Sequence, residues 1–116
     1  MSRDEKMIRL TRMADLLFEA RSAELRRAAE ARDAVRAQIS ALLRPVAEED
    51  RQNPAMMRQA MIYESWASVR RSELNAQLAR RQAEWLQGME AARRAFGRNQ
   101  VLARLADPAR KIPGRD

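Results

Sequence analysis

Residues 44–54 read RPVAEEDRQNP, and this stretch decides the fold. Pro45 closes whatever helix precedes it, because the residue before a proline is pushed out of the α region. Asn53 followed by Pro54 opens another, with Asn as the cap and Pro at the first helical position. Upstream, no proline or glycine interrupts residues 5–43. Downstream, a helical pattern runs to about Ala106, where Asp107-Pro108 stops it and residues 107–116 read as a frayed tail. The expectation is an all-α, elongated, antiparallel two-helix coiled-coil hairpin forming a single unit over 1–116. Its helices fall at about 4–43 and 54–106, with a turn at 44–53, the second helix being the longer.

Each run carries a narrow apolar stripe. Met7, Ala14, Phe18, Leu25, Ala29, Arg36, Ile39 and Leu43 lie within about 40° of one line on a helical wheel, flanked by Leu10, Leu17, Ala28 and Val35. In the second run Met56, Ala60, Tyr63, Ala67, Leu74, Leu78, Trp85, Ala92 and Phe96 share a line in the same way. The expected seam is Phe18, Leu25, Val35, Tyr63, Leu74, Leu78 and Trp85. A fold-back near residue 49 pairs Leu25 with Leu74, Val35 with Tyr63 and Met7 with Ala92. At 1.5 Å per residue the helices span about 58 and about 80 Å, so Phe96 to Leu105 should project past the end of helix one. Arg21, Arg32, Arg70 and Arg81 border the stripes. Their stems can cover the seam while their heads reach water or a carboxylate, or they can set the register of the pair.

Composition supports a seam rather than a thick core. Apolar residues make up 46% of the 116, but 22 of them are alanine, which favours helix and buries little surface. Cysteine and histidine are both absent, which removes disulfides, thiolate nucleophiles, Cys/His zinc sites and the commonest general base. Glu48, Glu49 and Asp50 sit in the turn without a pocket to perturb them. No catalytic site, cofactor, metal or small-molecule substrate is expected. The N-terminal MSRDEKMIRL lacks a signal-peptide h-region, and no apolar run approaches the ~20 residues that cross a bilayer. A cytoplasmic protein is expected.

Net charge is +7, divided as +2 over residues 1–43 and +5 over 54–106. The doublets Arg70-Arg71, Arg80-Arg81 and Arg93-Arg94 would suit nucleic acid, but their spacing does not hold one face and Glu64, Glu73, Glu84 and Glu90 interrupt them. A solvated mixed-charge face accounts for them better. Protein recognition has a more specific signal in MIYESWASV, residues 61–69. Tyr63 and Ala67 belong to the seam, whereas Ile62, Trp66 and Val69 form a second, outward strip, with Met57 and Met61 nearby. Methionines and an amphipathic tryptophan suit an adaptable binding surface. A homodimer contact or a broad seam would use the same residues.

The stretches RLTRMADLLFEARSAELRRA and YESWASVRRSELNAQLARRQAEWL, in this alanine- and arginine-rich hairpin, resemble the FliJ-like proteins of the bacterial flagellar export apparatus and their YscO-like counterparts in type III secretion. The resemblance extends over residues 7–106. It implies a non-enzymatic protein-transport component, cytoplasmic and peripheral to a membrane-embedded apparatus, shaped like a rotary-ATPase shaft. Its partners would be the export ATPase ring, the export gate protein and export chaperones. The gate contact would lie near the turn, around Ile39, Met61, Ile62, Trp66 and Val69. The ATPase contact would use the paired ends, Met7 to Leu17 and Trp85 to Leu105, including Phe96 and Leu102. A generic coiled-coil adaptor or homodimeric structural protein is the alternative, and a basic nucleic-acid-associated hairpin the third.

Overall fold

The structure, a computed structural model, describes residues 2–106; the tail expected at 107–116 lies outside them. Two helices, α1 (Arg3–Ser40) and α2 (Pro54–Ala106), flank a connection that contains one 3₁₀ turn over Glu48–Asp50. No strand occurs among the described residues, and α2, at 53 residues, is longer than α1, at 38. Their ends follow from local chemistry. Ser2 Oγ accepts from the Glu5 amide at 3.1 Å, with Asp4 and Glu5 in the first turn beside the positive end of the helix dipole. Asn53 Oδ1 accepts from the amides of Ala55 and Met56 at 3.0 and 3.4 Å, capping α2 with Pro54 behind it. At its C-terminus α1 tightens before Pro45 is reached: the amides of Leu42 and Leu43 donate three residues back, to Ile39 and Ser40.

The packing divides into two compact units. The turn unit, Ala29–Ala83, holds a cluster of Val35, Leu42, Ala67 and Leu74, with Ile39, Tyr63 and Leu78 packed against it. The terminal unit combines the chain up to Ala28 with the chain from Glu84 onward. Ala14, Ala92 and Ala95 are buried in it, the rings of Phe18 and Phe96 stand 5.6 Å apart, and Asn99 Nδ2 donates to Asp15. The helices run antiparallel in both. Tyr63 reaches Leu42 and Arg70 reaches Gln38 in the turn unit, while Leu25 faces Gly88 and Phe18 faces Phe96 in the terminal unit.

This register differs from the expected one. Leu25 packs on Gly88, fourteen residues beyond Leu74, and Met7 lines a cleft with Ala106 rather than meeting Ala92. Phe96 to Leu105 do not project past α1: Phe96 meets Phe18, and Leu102 shares a groove with Leu10 and Leu17. The connection explains the shift. Arg44, Pro45, Val46, Ala47 and Asp50 lie along Met56, Gln59, Ala60 and Tyr63, so the first turns of α2 are covered by the connection and α1 first meets α2 near Tyr63. The stretch 41–53 spreads over α2 instead of reversing the chain tightly about residue 49.

The buried positions also follow a period that a straight wheel misses. Ala14 and Val35 are buried twenty-one residues apart in α1, with Leu42 seven residues further on, just past its end. Ala67, Leu74 and Ala95 keep multiples of seven in α2, where Ala92 is buried as well. A 3.6-residue wheel drifts by about 20° per heptad from a seven-residue repeat. After four heptads the drift approaches one residue. Phe96 is accordingly more exposed than the adjacent Ala95, while Leu43, expected on the stripe, lies in the tightened turn past the end of α1 and is 74% exposed beside the buried Leu42. Arg36, also placed on the stripe, is exposed.

Gly88 and Gly97 both sit inside α2, where glycine is less favourable than alanine by about 1 kcal/mol. A Cβ at Gly97 would meet nothing within 4 Å, whereas one at Gly88 would stand 3.6 Å from Leu25 Cα and Cδ1. Gly97→Ala is expected to raise the midpoint of thermal unfolding, followed by circular dichroism, by several degrees (about 4–8 °C per kcal/mol). Gly88→Leu is expected to lower it, because the atoms beyond Cβ meet the α1 backbone. A lowered midpoint for Gly97→Ala, or a raised one for Gly88→Leu, would contradict this packing.

Candidate docking surfaces

The residues of MIYESWASV separate as their helical spacing directs. Ala67 is buried in the cluster of the turn unit and Tyr63 packs against it. Met61, Ile62, Trp66 and Val69 are exposed, Trp66 by 57%. The two sets touch through their aromatic rings, those of Tyr63 and Trp66 standing 5.7 Å apart in a tilted arrangement.

Tyr63 is itself held from two directions. Its hydroxyl donates to the Leu42 carbonyl at 3.0 Å, and the Arg44 guanidinium carbon stands 4.6 Å from the ring centroid. Helical side chains lean towards the helix N-terminus, which carries the Tyr63 hydroxyl to the turn just past α1 and satisfies the carbonyl of Leu42 there. The indole of Trp66 therefore rests on a ring fixed by a hydrogen bond and a cation–π contact while its outer face meets solvent. An immobilised aromatic of this kind loses little conformational entropy when a partner covers it.

Charge borders the strip. Glu64 pairs with Arg71 at 3.3 Å, and Arg70 spans Glu73 at 3.2 Å and Gln38 at 3.4 Å. Such exposed pairs contribute about 0–1 kcal/mol each, so they shape the rim more than they stabilise the fold. Met61, Glu64, Ser65 and Ser68 line a shallow depression beside the strip.

The remaining candidates have different surroundings. Ile39 is half-buried against the turn-unit cluster, and Met57 is half-buried in the first turn of α2. In the terminal unit Phe96 turns its ring to Phe18, Leu102 is half-buried, and Leu105 is exposed. The expected seam residues Phe18, Leu25, Tyr63, Leu78 and Trp85 are half-buried, with Val35 and Leu74 fully so. Of the bordering arginines, Arg21 pairs with Glu24 at 3.0 Å and Arg32 with Asp33 at 3.1 Å.

Within the paired ends that the resemblance assigns to an ATPase contact, the structure brings several apolar side chains together in a way the sequence does not specify. Leu10, Met13, Leu16, Leu17 and Leu102 line an open groove in the terminal unit. Leu10, Met13 and Leu17 are three and four residues apart, and Leu10 and Leu17, expected as flanks of the seam, line its open side.

Among the described residues no helix is long and apolar enough to cross a membrane. No family model, curated protein or solved structure matches the chain.

Proposed function

We propose that the chain is a non-enzymatic helical hairpin that docks on other proteins, and that its setting is a flagellar or type III export apparatus with the export ATPase and the export gate protein as partners. The observation that carries the docking function is Trp66, exposed on the outer face of α2 and seated on the anchored Tyr63 ring. Exposed apolar side chains grouped on one helix face mark interaction sites more often than scattered ones do, and tryptophan is enriched among binding hot spots. The export setting rests on the likeness of the two helical stretches to the FliJ-like pattern. The non-enzymatic reading is supported by the absence of cysteine and histidine and by the exposure of Glu48 and Glu49.

Trp66→Ala tests this reading. The variant is expected to keep the parent's helicity, with stability changed by about 1 kcal/mol or less, because the indole is 57% exposed and its ring contact is with Tyr63. Titration calorimetry against the export ATPase and the gate protein of the same cell should show at least one complex weakened by about 2 kcal/mol or more. Unchanged affinity for both partners would refute Trp66 as the docking residue, and binding of neither by the parent chain would refute the export assignment. A variant that melts far below the parent would show that Trp66 belongs to the core.

A further inference from the structure

The terminal unit carries a second apolar surface whose chemistry is more selective than that of the Trp66 strip. Its open groove runs between the first half of α1 and the last turns of α2, with a volume of about 550 Å³. Leu10, Met13, Leu17 and Leu102 form its lining, and Met13 and Leu16 are 59% and 65% exposed. The charge on its walls has one sign. Arg98 lines the groove and the adjoining depression, where Arg94 joins it, and no acidic side chain lines either. Arg94 meets one carboxylate, Glu90, at 3.9 Å and remains 62% exposed. One turn before Leu10 and Met13, Lys6 and Arg9 extend the same face of α1 in cationic form.

We propose that this groove receives an amphipathic α-helix from another protein, with acidic residues flanking its apolar stripe, to complete a three-helix bundle. The lining residues Leu10, Met13 and Leu17 repeat the 3–4 spacing of a helix-packing seam, which suits the ridge of a helix laid along the open groove. The stretch from Arg94 to Leu105 is about 17 Å long, roughly three helical turns. A second copy of this chain would bring the same cationic walls together, and like charges facing each other disfavour that pairing. The inference concerns a different surface from Trp66. The groove lies within the paired ends where the FliJ-like resemblance would place the ATPase contact, but the proposal stands on the lining and charge of the groove itself and its test needs no export protein.

The test uses the full chain and a synthetic three-heptad peptide with leucine and isoleucine on the stripe and glutamate flanking it. Labelled with fluorescein, the peptide should bind in anisotropy titrations, and binding should weaken as salt is raised. The same peptide with lysine in place of glutamate should not bind. Arg98→Glu should weaken the glutamate peptide by about tenfold or more and make the lysine peptide bind in its place. That exchange of preference requires a folded groove, so loss of structure cannot mimic it. Met13→Glu, checked for helicity by circular dichroism, should weaken the glutamate peptide as well. Equal binding of both peptides, or binding of neither, overturns the proposal. So does a dimer of this chain that Met13→Glu dissociates, or adsorption to phosphatidylglycerol vesicles through this face with no affinity for the peptide.

Discussion

Leu74→Ala is expected to unfold the turn unit more readily than any substitution on the outward face of α2. Leu74 is 1% exposed and is the largest side chain so completely enclosed. It packs in a cluster with Val35, Leu42 and Ala67, bordered by Ile39, Tyr63 and Leu78. Truncating a buried leucine removes its transfer free energy and leaves a cavity, at about 2–5 kcal/mol. A two-helix layer can close partly over such a gap, which favours the lower half of that range. Natural domains have only about 5–15 kcal/mol in hand, and this cluster is small, so even about 2 kcal/mol should lower the urea midpoint visibly. Leu74→Met, which nearly conserves volume, should cost less than about 1.5 kcal/mol. If urea titrations place Leu74→Ala within 1 kcal/mol of the parent, the cluster is not the stabilising core of this unit.

Ala67→Asp should be more damaging still. Ala67 has no solvent exposure and lies in the same cluster. Alanine at such a point lets the two helices approach, and any larger side chain forces them apart at about 1–3 kcal/mol. A carboxylate adds the cost of removing a charge from water with no partner, since the cluster around it is formed by apolar side chains and Tyr63, whose hydroxyl is already engaged by Leu42. Together these place the variant above about 4 kcal/mol, in the range reserved for buried unpaired charges and severe overpacking. The neighbouring exposed position offers the control: Ser68→Asp should leave the far-ultraviolet spectrum and the melt close to the parent's. A folded Ala67→Asp protein with parental stability would show that the seam opens to water at this level.

The outward strip was legible in the sequence because its argument is local. Ile62, Trp66 and Val69 are four and three residues apart and lie off the line that contains Tyr63 and Ala67, and the backbone of one helix suffices to separate the two faces. The support beneath the strip was not legible. The Tyr63 hydroxyl reaches the Leu42 carbonyl across twenty-one residues, and Arg44 reaches the same ring from the connection. Neither contact follows from periodicity, because both depend on how the segment after α1 lies along α2. Leu102 and the stretch Met7 to Leu17 were legible as a candidate contact, but the joining of Leu10, Met13 and Leu102 in one groove was not, for a related reason. Whether an apolar flank is buried or open depends on where the second helix lies, and therefore on the register.

Sequence alone determined the helical character of the two runs, the direction of their seam and the start of α2. Alanine-rich spacing without proline sets the first two, and the Asn53–Pro54 cap sets the third by hydrogen bonds within a single turn. Tertiary structure alone decided the pairing. A seam of small side chains such as Ala67, Gly88, Ala92 and Ala95 offers many registers of similar burial, since alanine and glycine have little shape with which to reject a shift. The choice falls to the few large contacts that fit in only one alignment. These are Leu25 on Gly88, Phe18 against Phe96 and Tyr63 beneath Leu42. Each joins residues far apart in the chain, and the connection lying over the first turns of α2 brings them opposite one another.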